Sequence, residues 1–319
     1  KSIVSGEITY LNYLAKQGGG LTDEMFNENP FQSNRSRNWF EIDWLLYSIQ
    51  YKHNFSENSI LSANFFGLNA KRNALGFRTN RVSQVDSFEE RDLIKGDFNN
   101  YGLEIRLLNK YKIRNKDATW VIGTKYYNSN TTSIQGPGSN KSDADFNLRT
   151  IEFPFYNFQS DYIYPNKNFA LFAENIFYIN EKISLTPGLR YEYIKTESQG
   201  SYKKTNRDAA GNVIFDDTIE NNETRKRNFI LLGLGASYKF LNGQEFYLNV
   251  SENYRSVTFA DISIFNPAFS INPNISDETG YTFDIGFRGI LKNYISFDIS
   301  SFLLSYNNRI GFVQRAFQD

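Results

Sequence analysis

The sequence predicts an all-β fold, namely a transmembrane antiparallel β-barrel with short periplasmic turns and long extracellular loops. Two observations predict it. Apolar and polar side chains alternate along many segments, as expected for strands that have one apolar face. The connections between these segments alternate strictly between very short and long, which gathers every long loop at one end of the sheet. A soluble β-sandwich has no physical reason to place its long connections so unevenly.

The composition supports this class. The chain has 319 residues and a formal charge of +0, so no basic field favours nucleic acid as a partner. It has no cysteine, which excludes thiol catalysis and disulfides and suits an exported protein. Aromatic residues make up 17% of the chain while the mean hydropathy is -0.52, and no apolar run approaches the roughly 18 residues of a membrane helix. A polar average with many aromatics fits a barrel in which only alternate residues face lipid.

The alternation can be followed strand by strand. In Asn100–Arg114, Leu103 and Ile105 lie on one face and Glu104 lies on the other. The three N-terminal segments alternate less cleanly than the later ones. The predicted strands include Ser2–Leu14, Trp39–His53, Ser59–Arg72, Asn100–Arg114, Asn168–Ile179, Ile183–Thr196, Asn228–Phe240, Gln244–Arg255 and Gly280–Gly289.

The connections follow the same order. The short turns are predicted at Asn54–Asn58, Asn115–Ala118, Asn180–Lys182, Leu241–Gln244 and Leu291–Asn293. The long loops are predicted at Ala15–Asn38, Asn73–Phe98, Ser129–Asn166, Gln199–Arg227 and Val257–Glu278. This gives about eleven strands of roughly 12–16 residues, against the about 9–11 that a tilted membrane strand needs. A closed bacterial barrel has an even number of strands and an open edge is forbidden in lipid, so we expect residues 1–319 to be part of a larger barrel.

The polar face carries several glycines, which weaken a strand unless something approaches it closely. They are Gly102, Gly123, Gly188, Gly233, Gly235 and Gly286. Two explanations are open, namely strand curvature and close packing of a folded plug against the inner wall. At the strand ends, aromatic side chains are expected to form girdles at the membrane interfaces. The girdle candidates are Trp39, Trp44, Tyr101, Tyr111, Trp120, Tyr126, Tyr191, Tyr193 and Tyr281.

No catalytic, metal or cofactor site is predicted. A single histidine, His53, cannot form a multi-histidine site. Acid pairs such as Glu89-Glu90 could serve as glycosidase acid and base or as calcium ligands, but solvated loop charge explains them more simply. Gly233-Leu234-Gly235 lies inside an alternating strand with no helix after it, which excludes a nucleotide loop.

Arginines in or beside the long loops are the candidate ligand-binding residues. A guanidinium binds a carboxylate in bidentate fashion, so several loops could converge on one anion. Arg255 is the strongest candidate because it ends a strand on the polar face. The alternative is scattered surface charge balanced by nearby acids. The candidates are Arg255, Arg72, Arg78, Arg35, Arg37, Arg81 and Arg149, with Arg225 and Arg227 at a further loop edge.

Several strings resemble TonB-dependent outer-membrane receptors over nearly the whole chain. "NFALFAENIFYINEKISLTPGLRYEY" (Asn168–Tyr193) is similar to their strand–turn–strand unit. "ENYRSVTFADI" (Glu252–Ile262) resembles an entry into a large loop, and "DETGYTFDIGFRG" with "SYNNRIG" (Asp277–Gly311) resembles the following hairpin. "GGGLTDEMFNENPFQSNRSRNWFEIDW" (Gly18–Trp44) and "LNAKRNALGFR" (Leu68–Arg78) resemble the ferric-citrate receptor branch in the form common in Bacteroidetes.

This resemblance implies a barrel of about 22 strands in the outer membrane of a Gram-negative bacterium. It also implies an N-terminal plug and partnership with the TonB complex through that plug, which this chain does not contain. The implied activity is import of a ferric siderophore, such as ferric citrate or a similar carboxylate chelate, with no reaction on the substrate. The alternatives are TonB-dependent uptake of haem, cobalamin or a glycan, a passive porin, and a soluble all-β carbohydrate enzyme.

Overall fold

Antiparallel strands dominate the structure, a computed structural model that describes residues 1–79, 81–241, 243–258, 272, 274–292, 294–311 and 313. These residues include twelve strands in one sheet and one short helix. None of the helical segments among them is long and apolar enough to cross a membrane. The elements are β1 Ser2–Lys16, α1 Asp23–Glu28, β2 Trp39–Asn54, β3 Ser59–Gly76, β4 Asp92–Ile113, β5 Lys116–Pro137, β6 Ser160–Tyr178, β7 Ile183–Arg207, β8 Val213–Glu220, β9 Glu223–Lys239, β10 Glu245–Arg255, β11 Glu278–Leu291 and β12 Ile295–Asn307.

The sheet is an up-and-down meander. Its order is β1-β2-β3-β4-β5-β6-β7-β9-β10-β11-β12, and β8 pairs only with β7. The predicted all-β antiparallel fold is therefore confirmed, with eleven strands along the main path of the described sheet. The additional strand, β8, lies inside the predicted loop Gln199–Arg227, because β7 continues upward and folds back on itself as a hairpin. The sheet of described strands is open, with β1 and β12 at its edges.

The strands are longer than their apolar alternation indicated. β7 has 25 residues, and β4 and β5 have 22 each. The loop predicted at Ser129–Asn166 therefore shrinks to residues 138–159. The physical reason is that backbone pairing continues after a strand leaves the apolar layer, whereas the side-chain alternation stops there. Much of the predicted loop Val257–Glu278 lies outside the described residues.

Short turns close the opposite end of the sheet, as predicted. Between β4 and β5 only Arg114 and Asn115 remain unpaired, and both have positive φ, 47° and 64°. Two successive residues of this kind form the type I′ turn that matches the twist of adjoining strands. This turn begins one residue earlier than the predicted Asn115–Ala118, because β4 ends at Ile113. It is also shorter, because Lys116 already belongs to β5.

The register confirms which residues share a face, since directly paired residues point to the same side. The six predicted glycines all lie on the polar face through the pairs Gly102↔Tyr127, Arg106↔Gly123, Glu174↔Gly188, Gly188↔Gly233, Asn249↔Gly235 and Tyr247↔Gly286. The opposite face carries the aliphatic side chains. Leu103 and Leu232 are 39% and 57% exposed there, with no further layer of described protein covering them.

Aromatic rings from neighbouring strands cover three of the polar-face glycines. A Cβ at Gly102 would overlap the ring of Phe66, and one at Gly123 would overlap the ring of Phe172. Tyr247 lies over Gly286 in the same way. Aromatic cover of strand glycines is a known device for pinning register. At these three positions the ring cover gives the glycines a role in packing, and strand curvature and plug contact stay predictions.

Aromatic side chains also gather at two levels of the apolar face. Tyr126 pairs with Phe169, which pairs with Tyr193, and the ring of Tyr101 lies 6.5 Å from that of Tyr126. Tyr101 and Tyr111 are ten residues apart on β4 (111 − 101), which spans about 25 Å at about 3.3 Å per residue and a tilt of roughly 40°.

Two of the nine girdle candidates are wrong. Trp44 pairs with Leu11 and Ala70 on the polar face, so it cannot face lipid. Trp39 lies among the loops, where its indole N–H donates to the carbonyl oxygen of Ser142 at 2.8 Å. The predicted strand limit at Trp39 is correct, so the errors concern the face of Trp44 and the height of Trp39 above the apolar layer.

Candidate ligand site at the loop end

Three loops pack together above the ends of β2 to β6. They are loop 1 (residues 17–38), loop 2 (residues 77–91) and loop 3 (residues 138–159). Arg91, at the end of loop 2, is completely buried. Its guanidinium donates to the carbonyl oxygens of Ser139 (2.8 Å), Arg37 (2.9 Å) and Asp143 (2.8 Å). One side chain thus joins all three loops.

Arg37 of loop 1 makes the second junction. It donates to both carboxylate oxygens of Asp86 at 2.8 and 2.5 Å, and to the carbonyl oxygens of Glu89 (3.1 Å) and Asn140 (2.7 Å). Its hydrogen bond is the main reason that the pKa of Asp86 lies below its usual value. The guanidinium also lies over the ring of Phe88 at 5.0 Å.

Arg35 works in the same way. Its two terminal nitrogens donate to the carbonyl oxygens of Asn34, Gln84, Arg81 and Val82 at 2.7 to 3.3 Å. The predicted candidates Arg35 and Arg37 are therefore brought to the loop junction, but the protein's own oxygens already accept their hydrogen bonds. The side chain of Arg81 is exposed on loop 2.

Two other predicted candidates line one cavity. This arginine cavity has a volume of about 380 Å³ and lies between loop 1 and the upper ends of β2, β3 and β4. Phe40, Leu75 and Ile94 give it an apolar part, and Arg72 and Arg78 supply two guanidinium groups. The amides of Gln17 and Asn38 complete the polar lining.

The cavity walls are fixed by the local backbone. The Asn38 side chain receives a hydrogen bond from the backbone N–H of Phe77 (2.8 Å) and donates to its carbonyl oxygen (3.2 Å). That amide occupies the space above Gly76, where any Cβ would overlap it. Arg72 lies over the ring of Phe98 at 5.9 Å. Arg78 is 52% exposed, so a solute in the cavity can reach it.

Asp92, the first residue of β4, pairs with Gly76 of the cavity lining. Gln135 donates to both of its carboxylate oxygens at 3.0 Å, and Tyr156 donates at 3.2 Å. Arg78 Nε lies 3.7 Å from the nearer carboxylate oxygen. Burial raises the pKa of Asp92, although its three partners act in the opposite direction. Burial and the neighbouring Asp92 charge likewise raise the pKa of Tyr156.

The remaining predicted arginines lie elsewhere. Arg149 forms ion pairs within loop 3, with Asp145 (2.7 Å) and Glu152 (3.0 Å). Arg255 bonds Glu278 at 2.9 Å across the β10–β11 pair. Five strands, β4 to β7 and β9, separate β10 from the β3 strand that carries Arg72.

Arg227 and Arg225 lie near Arg255. Arg227 donates to Asp277 (2.8 Å), to the Thr196 hydroxyl (2.9 Å) and to the carbonyl oxygen of Val257 (3.1 Å). Arg225 lies 3.7 Å from Glu223. This second cluster flanks the loop whose residues 259–271 and 273 are outside the described part.

Sequence reasoning missed Asp92, Tyr156 and Gln135. All three were placed inside, or at the edge of, predicted long loops. No clear period of two marks this segment, because Leu93 and Ile94 are adjacent apolar residues.

A sequence profile described as "TonB dependent receptor-like, beta-barrel" matches residues 3–318. The unliganded ferric citrate transporter FecA is similar over 99% of this chain and 42% of its own, with 17% identity and a TM-score of 0.73. The siderophore receptor PiuA from Acinetobacter baumannii has 13% sequence identity and a TM-score of 0.66. The similarity covers 94% of this chain and 47% of that receptor. The closed form of the ferric-catecholate import receptor Fiu from E. coli K12 has 11% sequence identity and a TM-score of 0.65. The similarity covers 94% of this chain and 48% of that receptor.

At these identities the likeness establishes the fold. The chain spans somewhat under half the length of each of these solved receptors. No curated protein sequence matches the chain.

Proposed function

Because the chain belongs to the TonB-dependent receptor β-barrel family, we propose that the whole protein is an outer-membrane transporter for a ferric siderophore. The iron chelate is captured at the loop end, and its passage requires a plug that couples to the TonB complex of a Gram-negative bacterium. The substrate undergoes no chemical reaction. The solved receptors named above carry ferric citrate, siderophore or ferric-catecholate designations, which supports an iron chelate over the other ligand classes.

The apolar face supports the membrane part of the proposal. Its exposed aliphatic side chains would be costly in water, and they lie between aromatic levels about 25 Å apart, as in an outer-membrane barrel. At the short-turn end the rings of Tyr238, Phe240, Phe287 and Phe297 form a chain of contacts with centroids 4.9 to 5.8 Å apart. Amphipathic rings at such levels favour the lipid headgroup region.

The arginine cavity carries the ligand assignment. Two guanidinium groups, Arg72 and Arg78, line one space whose volume falls in the range of small-molecule sites. A chelate with free carboxylates fits this chemistry because arginine binds carboxylates through charge-assisted hydrogen bonds. We therefore propose ferric citrate or a similar carboxylate chelate as the ligand. The resemblance to the ferric-citrate branch lies on the same segments, Gly18–Trp44 and Leu68–Arg78.

The other arginines take different parts in this proposal. Arg35 and Arg37 organise the loops, because backbone and carboxylate oxygens already accept from them. Arg255 belongs to the second cluster, five strands away from β3, and would contact the chelate from there. Arg81 and Arg149 stay on the outer surface of loops 2 and 3.

The test is binding of ferric citrate to the full-length receptor by calorimetry. Replacing Arg78 with Ala should weaken binding roughly ten- to a hundred-fold, because a charge-assisted bond is worth roughly 1.5–3 kcal/mol. Arg149→Ala is the matched control, since its ion pairs stay within loop 3. A neutral ferric hydroxamate serves as the control ligand. Equal affinity of the receptor for the neutral and the anionic chelate would remove the carboxylate assignment.

A further inference from the structure

The carboxylate of Asp92 is enclosed beside a cation that remains accessible. The register pairs Asp92 with Gly76, which lines the arginine cavity. The Asp92 side chain is 9% exposed and receives hydrogen bonds from Gln135 and Tyr156, whereas Arg78 is 52% exposed. The acid is therefore held in place by two neutral donors, and Arg78 both lines the cavity and lies 3.7 Å from the carboxylate.

We propose that Asp92 is an internal competitor for Arg78, so that an anionic chelate and the ionised Asp92 carboxylate bind this guanidinium in turn. The competition makes ligand capture proton-linked. When Asp92 takes up a proton, Arg78 loses its internal counter-charge and presents its full charge to the cavity. Binding of an anion at Arg78 and binding of a proton at Asp92 then favour each other by equal factors.

The surroundings of Asp92 make this exchange feasible. Arg78 of loop 2 is the cation that acts on its charge, Tyr156 of loop 3 donates a hydrogen bond, and Gln135 of β5 is uncharged. Glu90 is a further acid close enough to act on Tyr156. Burial raises the pKa of Asp92, so its carboxylate takes up a proton more readily than an exposed aspartate does. Asp92 lies at the loop end of β4, above the membrane-spanning part of the strand.

This inference rests on the proposed capture of an anionic chelate, and one experiment tests both. Ferric citrate binding is measured from about pH 8 to about pH 5 on the full-length wild type, on Asp92→Asn and on Asp97→Asn. Asp97 is the matched control because it lies on β4 but is exposed on the opposite face. Comparing proteins side by side removes the changes in the chelate's own protonation.

The expected result has two parts. At about pH 8, Asp92→Asn binds roughly two- to fivefold more tightly than wild type, as for loss of a competing half-exposed ion pair. Wild-type affinity approaches that of Asp92→Asn as the pH falls, while Asp97→Asn follows wild type. Tyr156→Phe removes a donor to the ionised form, so it should shift the wild-type pH dependence toward higher pH.

The outcomes separate the two proposals. Equal affinity and equal pH dependence of wild type and Asp92→Asn would overturn the competition and leave the ligand assignment in place. Absence of binding by every protein at every pH would remove the ligand assignment and the competition with it. Folding of Asp92→Asn is judged by gel mobility before and after heating. If this variant does not fold, the pH dependence of binding by Tyr156→Phe decides instead. A pH dependence equal to that of wild type would then overturn the competition.

Discussion

The guanidinium of Arg91 donates to the backbone carbonyl oxygen of Arg37 at 2.9 Å, so the side chain of one buried arginine contacts the backbone of another on a different loop. Like charges meet here because each guanidinium has its own set of oxygen acceptors. Arg91 faces Ser139 and Asp143, and Arg37 faces Asp86 and Asn140. The loops are therefore tied at their bases before any ligand arrives.

Replacing Arg91 with Met should loosen loops 1, 2 and 3 together. Three carbonyl oxygens would lose the guanidinium that donates to them, and two of these hydrogen bonds are fully buried, so the cost is about 2–4 kcal/mol. Arg91→Lys should recover little, because one ammonium cannot span a guanidinium's acceptors. Limited proteolysis of the loops measures the effect, and Lys141→Gln, exposed on loop 3, is the control. Unchanged cleavage in Arg91→Met would show that the loops are held by other contacts.

Adding a methyl group at Gly123 should destabilise the sheet by roughly 1–3 kcal/mol, since it must displace the ring of Phe172 or the backbone. Gly233→Ala is the matched control, because its added Cβ would meet only ordinary contacts at 3.8 Å. Both can be followed by urea unfolding in micelles. In a double mutant with Phe172→Ala, part of the Gly123→Ala cost should disappear; additivity would rule out the ring as its cause.

Arginine at position 232 should cost about 2–4 kcal/mol if Leu232 lies near the bilayer midplane. Arginine at the neighbouring position 231 should cost far less, because Leu231 pairs with Arg190 on the polar face. Folding into lipid vesicles, scored by gel mobility, compares the two. If the two arginine variants fold into vesicles equally well, the aliphatic face does not contact lipid.

Stability near the mouth should depend on pH in opposite directions at Asp92 and Asp86. The pKa of Asp92 is raised above its ordinary 3.8, so the folded state binds its proton more tightly. Its contribution is present below pH 3.8 and is lost as the pH rises through the raised pKa. The pKa of Asp86 is lowered, so its contribution is present above pH 3.8 and is lost as the pH falls through the lowered pKa.

Thermal unfolding across pH measures both effects. Asp92→Asn should raise Tm relative to wild type at neutral pH, and Asp86→Asn should lower it. A lower neutral Tm in Asp92→Asn would mean that its hydrogen bonds outweigh the cost of burying its charge.

The faces of the sheet were predictable because lipid and water impose a period of two on neighbours such as Leu103 and Glu104. The upper limits of the longest strands, β4, β5 and β7, were not predictable, because strands that pair above the membrane are polar on both faces and show no period of two. Residue type alone also could not separate Arg35 from Arg78. Both are arginines in predicted loops, and the difference lies in carbonyl oxygens that the fold brings from up to 49 residues away.

The meander order has a consequence for how the chain reaches its final state. Along the main path each strand pairs with its neighbour in the chain, except that β7 pairs with β9 and also with the intervening β8. Loop-closure entropy is therefore small at the short turns and smallest at the tight turn between β4 and β5, whereas each long loop costs more. Assembly can proceed hairpin by hairpin, and at every stage the growing sheet offers a strand edge as a template for the next arrival.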